Sequence, residues 1–206
     1  MRALVGLLVL LVAWAGAPAP APGQDRVIVA FGDSLTAGLG VPTDQTYPAL
    51  LGERLRREGF DYRVVNAGVS GDTTAGGLRR VDWALRLKPE IVILELGVND
   101  ALRGQSLTAV RANLDQLVAR FQAAGARVLV AGMRLPPNYG TRYADDFHRL
   151  FGEVARARNA PHIPFFLDGV GAVPRLNQAD GIHPTAEGYA RVVDHLWPHL
   201  LPLLRR

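Results

Sequence analysis

Cysteine is absent from the 206 residues. Disulfides, thiolate metal sites, cysteine nucleophiles and cysteine-linked lipid anchors are excluded with it. An oxidising compartment is allowed but not required. Lysine occurs once, at Lys88, so nearly all the positive charge is arginine. The 23 basic residues outnumber the 19 acidic ones only slightly, and they are spread along the chain. Nucleic-acid binders gather theirs into a stripe, so the pattern argues against a nucleic-acid partner. Serine is scarce as well: Ser34, Ser70 and Ser106 are the only three, which leaves few candidate hydroxyl nucleophiles. A spanning run is also missing, because the N-terminal apolar stretch Ala3 to Ala15 falls short of the ~20 residues that cross a bilayer. No internal repeat is visible.

That stretch has another meaning. Arg2 gives a positive start, Ala3 to Ala15 an apolar centre, and Ala15, Gly16 and Ala17 a run of small residues. This is the pattern of a cleaved secretory signal peptide; an uncleaved anchor is the alternative. Ala17 to Gly23 alternates alanine and proline, which cannot be helical and reads as a spacer. The organisation expected is therefore residues 1–25 as signal and spacer, and 26–206 as one exported domain, periplasmic or secreted, with no lasting membrane insertion. Hydrophobic content of 49% and charged content of 20% suit one packed α/β domain.

Strand and helix signals alternate through that domain. Val27–Phe31, Tyr62–Val65, Ile91–Leu96, Arg127–Ala131 and Ile163–Phe166 are short apolar, β-branched runs and predict five strands. Between and after them, Tyr47–Glu58, Thr73–Leu87, Leu107–Ala124, Ala144–Arg158 and Thr185–Leu204 carry helical spacing. The Thr73–Leu87 helix is weakened by Gly76 and Gly77, and the last is expected to break at Pro198. Alternation of this kind implies a parallel sheet covered on both faces. Right-handed crossovers leave few topologies, and the order 2-1-3-4-5 is expected.

Ligands of such sheets bind beyond the carboxyl ends of the strands, where strand order reverses. Gly32-Asp33-Ser34-Leu35 follows the first strand, Gly68-Val69-Ser70-Gly71-Asp72 the second, and Gly97-Val98-Asn99-Asp100 the third. Asp180-Gly181-Ile182-His183-Pro184 precedes the last helix. Acyl transfer needs this set. A serine hydroxyl needs a base to take its proton, and histidine titrates near neutrality. A carboxylate on the other ring nitrogen fixes the tautomer. Backbone N–H groups of Ser34 and Gly71, with the Asn99 amide, would supply oxyanion donors. Asp33, Asp72 and Asp100 are expected to cap helices and hold loop amides. Leu135, Pro136, Asn138 and Tyr139, after the fourth strand, are expected to wall a substrate pocket, with Gly38 to Val41 opposite.

These blocks resemble the conserved motifs of the SGNH (GDSL-type) hydrolases. Asn66-Ala67-Gly68-Val69-Ser70-Gly71-Asp72-Thr73, Arg134 to Gly140 and Asp180 to Pro184 are similar to the thioesterase I, lysophospholipase L1 and arylesterase group of that family. The resemblance covers about residues 27 to 200. It implies a flavodoxin-like three-layer fold and hydrolysis of acyl, aryl, thio- or lysophospholipid esters without a metal or cofactor. It also implies Ser34 as nucleophile, His183 as base, Asp180 as its partner, and Ser34, Gly71 and Asn99 as oxyanion donors. Val98 stands where the family often has glycine, with no loss expected. An acetyl esterase of polysaccharides and a non-catalytic binding module are the alternative functions. The α/β-hydrolase elbow Gly-x-Ser-x-Gly is absent, and a paired-carboxylate glycosidase would leave Ser34 and His183 unexplained. His148, His162, His195 and His199 lack motif neighbours and are assigned core or surface roles. Phe165, Phe166 and Leu167 are expected in the core.

Overall fold

The computed structural model describes residues 26–206; the expected signal peptide and spacer lie outside them. Five parallel strands form one sheet in the order β2-β1-β3-β4-β5, as expected. They are β1 (Arg26–Gly32), β2 (Tyr62–Gly68), β3 (Ile91–Glu95), β4 (Arg127–Ala131) and β5 (His162–Ile163). Strands β1, β3 and β4 are buried apart from the half-buried Arg26 and Arg127 at the start of β1 and β4, and past those arginines they carry no charged residue except Glu95. That is the signature of a strand covered on both faces.

The helices are α1 (Ser34–Ala37), α2 (Tyr47–Arg57), α3 (Thr74–Leu85), α4 (Val98–Leu102), α5 (Leu107–Ala123), α6 (Thr141–Ala157) and α7 (Ala186–Leu200). α2 packs on α7, while α3, α5 and α6 pack in a row. The two groups cover opposite faces of the sheet, as right-handed crossovers from β1 outward require. Each helix buries one stripe, such as Val110, Leu114, Leu117, Val118 and Phe121 of α5. The side chains of Thr73 and Thr185 accept from the N–H groups of Gly76 and Gly188, caps worth about 1 kcal/mol each.

Several expectations about elements need correction. β5 covers His162–Ile163 and not Ile163–Phe166, because Pro164 cannot donate to the ladder and the chain turns away there. α7 continues through Pro198 to Leu200. A proline so near the C-terminus removes one hydrogen bond, and buried Leu196 and Leu200 hold the final turn against the core. α6 starts at Thr141, three residues early. β2 runs to Gly68 and does not end at Val65, because Asn66, Ala67 and Gly68 stay in register with Ala30, Phe31 and Gly32 of β1. In α3, Gly76 leaves room for the Asp72 side chain, and Gly77 lets the helix approach the sheet. A Cβ on Gly77 would lie 2.6 Å from the Leu96 side chain and 3.2 Å from the Phe31 ring.

Candidate active site

β1 ends at Gly32, and α1 begins two residues later at Ser34. The Asp33 side chain caps this short helix, accepting from Leu35 N at 3.0 Å through Oδ1. Ser34 is thereby fixed at the carboxyl edge of the sheet, half-buried, on the helix's first turn. Gly68 lets the β2 end pass directly under α1: a Cβ there would lie 2.1 Å from Ala37 N.

His183 comes to Ser34 from the opposite end of the chain. Its Nε2 lies 2.8 Å from Ser34 Oγ, across 149 residues of sequence. Its Nδ1 lies 2.6 Å from Asp180 Oδ2. Asp180 Oδ1 accepts from the backbone N–H groups of Ile182 at 2.9 Å and His183 at 3.0 Å. These bonds and the His183 ring hold the Asp180 carboxyl down to about 2, so it is ionised at neutral pH. An ionised Asp180 is purely an acceptor. It places the ring proton on Nδ1 and leaves Nε2 free to accept from the Ser34 hydroxyl. Among the described residues Ser34 alone of the three serines has a histidine nitrogen within hydrogen-bonding distance.

The loop that carries the pair is clamped. Gln178 N donates to His183 O at 2.8 Å, and Gln178 Nε2 donates to Leu39 O at 2.7 Å and to Pro184 O at 3.0 Å. Gly40 presses on the same glutamine: a Cβ there would lie 2.1 Å from Oε1. The Gly38 to Val41 segment, expected as a pocket wall, is therefore not one. It is a support for the Asp180–His183 loop.

Asn99 sits on α4, directly after β3, with its Nδ2 donating to Asp33 Oδ2 at 3.0 Å. Gly71 lies in the turn after β2 with φ +78°, a conformation glycine adopts without strain. Arg103 donates to Gly71 O at 3.0 Å, which ties this turn to the segment after α4. Asp100 accepts from Thr74 N at 2.8 Å and Thr74 Oγ1 at 2.7 Å, and Asp72 Oδ2 pairs with Arg80 at 2.6 Å. The three loop aspartates thus cap and brace, as expected.

Ser34, Asn99 and His183 open onto a cleft of about 490 Å³. Leu135, Pro136, Asn138 and Tyr139 form one wall of it, as expected. The other wall is Phe165, Leu167, Ala172 and Ile182. Only Phe166 of the expected core triplet is fully buried without lining the cleft. Leu102 and Met133 also line the cleft and went unforeseen, since nothing separates them from core residues in sequence. Asp180 and Gly71 are not among the residues that line the cleft. His148, His162, His195 and His199 do not reach the cleft; His195 Nε2 meets Phe165 O at 2.9 Å, a packing role. No three metal-ligating side chains converge among the described residues.

Comparison with known proteins agrees with this geometry. The GDSL-like Lipase/Acylhydrolase family matches residues 30–191. The chain is 48% identical to an esterase, TesA, of Pseudomonas aeruginosa over 180 residues, spanning 87% of this chain and 90% of that one. It is 36% identical to the thioesterase 1/protease 1/lysophospholipase L1 of Escherichia coli over 185 residues, spanning 89% and 87%. A crystal structure of TesA superposes with a TM-score of 0.84 at 48% identity, covering 87% of this chain and all of that one. A Ser–His–Asp constellation at the reversal point of a 2-1-3-4-5 sheet, in a sequence so matched, has one placement: the chain belongs to the GDSL-like lipase/acylhydrolase family, the SGNH hydrolases, and is a carboxylic ester hydrolase.

Proposed function

We propose that this chain hydrolyses esters of medium to long acyl chains through Ser34, His183 and Asp180. The supporting observation is the continuous hydrogen-bonded path from Asp180 Oδ2 through His183 to Ser34 Oγ, with contacts of 2.6 and 2.8 Å. In this reading His183 Nε2 takes the Ser34 proton as Oγ attacks the ester carbonyl. The negative charge that develops on the carbonyl oxygen meets the N–H groups of Ser34 and Gly71 and the Asn99 amide. One such donor is worth about 3 kcal/mol. The imidazolium passes its proton to the departing alcohol or thiol, leaving an acyl-enzyme. Water, deprotonated by His183, then releases the acid and restores Ser34.

The cleft lining sets the substrate class. Leu102, Met133, Leu135, Phe165, Leu167 and Ile182 offer an apolar surface far larger than an acetyl group needs. This supports longer acyl chains over acetylated polysaccharide. Aryl esters, acyl thioesters and lysophospholipids share the same acyl requirement. A profile of kcat/KM against acyl length, on nitrophenyl esters from acetyl to dodecanoyl, tests the reading. Rates are expected to rise by about tenfold or more beyond acetyl, at ~0.8 kcal/mol per buried methylene. A steep preference for acetyl would contradict it. Export is proposed on the Arg2 to Ala17 pattern, and no helix among the described residues is long and apolar enough to cross a membrane. The N-terminal sequence of protein recovered from a periplasmic extract checks this; an intact Met1 end would refute cleavage.

A further inference from the structure

Glu95 is the one charged residue of the apolar strand β3, and it is fully buried. Nothing in the reaction described above uses it. Its Oε2 accepts from Thr36 Oγ1 at 2.8 Å and from Asp33 N at 3.3 Å. Thr36 Oγ1 lies in turn 3.2 Å from Tyr47 OH, so the network is anchored in the core. The carboxyl also presses on the turn that carries Ser34: a Cβ on Gly32 would lie 2.5 Å from Oε2. Its other oxygen, Oε1, has no hydrogen-bond partner among the described residues.

The neighbour it braces is Asp33, itself fully buried. Asp33 accepts twice from N–H donors, Leu35 N through Oδ1 and Asn99 Nδ2 through Oδ2. Two buried carboxylates this close cannot both be charged without large cost. Asp33 has the better set of donors, so it holds the charge and Glu95 holds the proton. Burial and the Asp33 charge push Glu95 well above the usual carboxylate range. The chemistry of Asn99 then follows. A side-chain amide can present either its oxygen or its NH2, and only the NH2 stabilises an oxyanion. An ionised Asp33 is an acceptor only, so it draws Nδ2 to its side and sets the amide the right way round. Were Asp33 protonated, it could donate to the amide oxygen instead and the selection would be lost.

We propose that Glu95 is a positioning residue for the oxyanion hole, acting through Asp33 on the orientation of the Asn99 amide. The inference rests on the assignment of Asn99 as an oxyanion donor given above. Its test uses the mature protein, a nitrophenyl butyrate assay and thermal unfolding. Glu95→Met keeps the volume and removes the acceptor. It leaves Thr36 Oγ1 and Asp33 N without that acceptor, a loss of stability that the unfolding measurement reads. Its kcat is expected to fall about ten- to a hundredfold, towards the loss of a whole oxyanion donor, with KM within about twofold. Glu95→Gln, which keeps a neutral side-chain oxygen to accept from Thr36 Oγ1 and Asp33 N, is expected to restore kcat to within about threefold of wild type. In an Asn99→Ala background Glu95→Met is expected to cost nothing further, since residues acting as a unit are not additive.

A wild-type kcat in folded Glu95→Met overturns the proposal, as does an equal loss in the Asn99→Ala background. Should Glu95→Met fail to fold, Thr36→Val removes the shorter bond to the same oxygen at constant shape. A several-fold kcat loss at unchanged KM is expected there, and an unchanged kcat overturns the proposal. Full activity in Ser34→Ala would instead bring down the nucleophile assignment, a separate result.

Discussion

Asp180 is nearly half exposed, yet it is the most acidified carboxyl of the site. Two backbone N–H groups and the His183 ring converge on it, and they hold it near 2 against an ordinary 3.8. A carboxyl lowered on folding stabilises the native state above its unfolded pKa and loses that contribution as pH falls through the folded one. The window here runs from about pH 4 down to about 2. Asp180→Asn is therefore expected to flatten the fall in unfolding temperature across that window. A profile as steep as wild type would contradict the bonding described. The same variant is expected to lose about 10³- to 10⁴-fold in kcat at neutral pH, because the tautomer that leaves Nε2 free is no longer enforced. Asp33 shows the opposite sign. Burial raises it to about 6, so its contribution favours low pH and fades as pH rises from about 4 to 6. At this scale Ser34, Asn99, Asp180 and His183 were legible, because each stands in a short string whose chemistry needs that residue type. Glu95 left a signal too, one carboxylate inside the apolar run Ile91 to Leu96. Its meaning needed the Asp33 contact, 62 residues away.

Elements were legible where periodicity had room to repeat. α5, with 17 residues and five buried positions on one stripe, is where the spacing put it. α1 and α4, of four and five residues, are too short to show a period, although they carry Ser34 and Asn99. The proline signals misled in both directions. Pro164 ended a strand that composition extended to Phe166, and Pro198 failed to end α7. Pro164 lacks the N–H that the ladder needs, whereas buried Leu196 and Leu200 hold the last turn of α7 against the core, and such packing does not show in a sequence. The Gly38 to Val41 segment misled for a related reason. It was expected to wall the pocket opposite Leu135 to Tyr139, but Gly40, with φ +83°, packs against Gln178 instead. That clamp carries a prediction. Gln178→Ala removes the Nε2 bonds to Leu39 O and Pro184 O, freeing the loop that holds Asp180 and His183. A kcat loss of about tenfold is expected, in line with the sensitivity of catalysis to small misplacement, with little change in unfolding temperature. Unchanged kcat would mean that the loop holds its geometry without the clamp.

Across the whole molecule, the order 2-1-3-4-5 does the assembling. β1 pairs with both β2 and β3, so the loops after these three strands stand side by side. Ser34 and His183, 149 positions apart in sequence, are brought together by four crossovers and α7's return to pack on α2. That topology was legible, because buried apolar strands alternating with helices admit few arrangements. The cleft was only half legible: the wall after β4 follows from topology, whereas Phe165 and Leu167 face it only because the chain turns at Pro164. The most direct test of the account is intact-mass measurement after exposure to a fluorinated alkyl phosphonate, on wild type, Ser34→Ala and His183→Ala. The account predicts one adduct on wild type, mapped to Ser34, none on Ser34→Ala, and labelling of His183→Ala slowed by at least about a thousandfold. An adduct on Ser70 or Ser106, or equal labelling of wild type and His183→Ala, would contradict it.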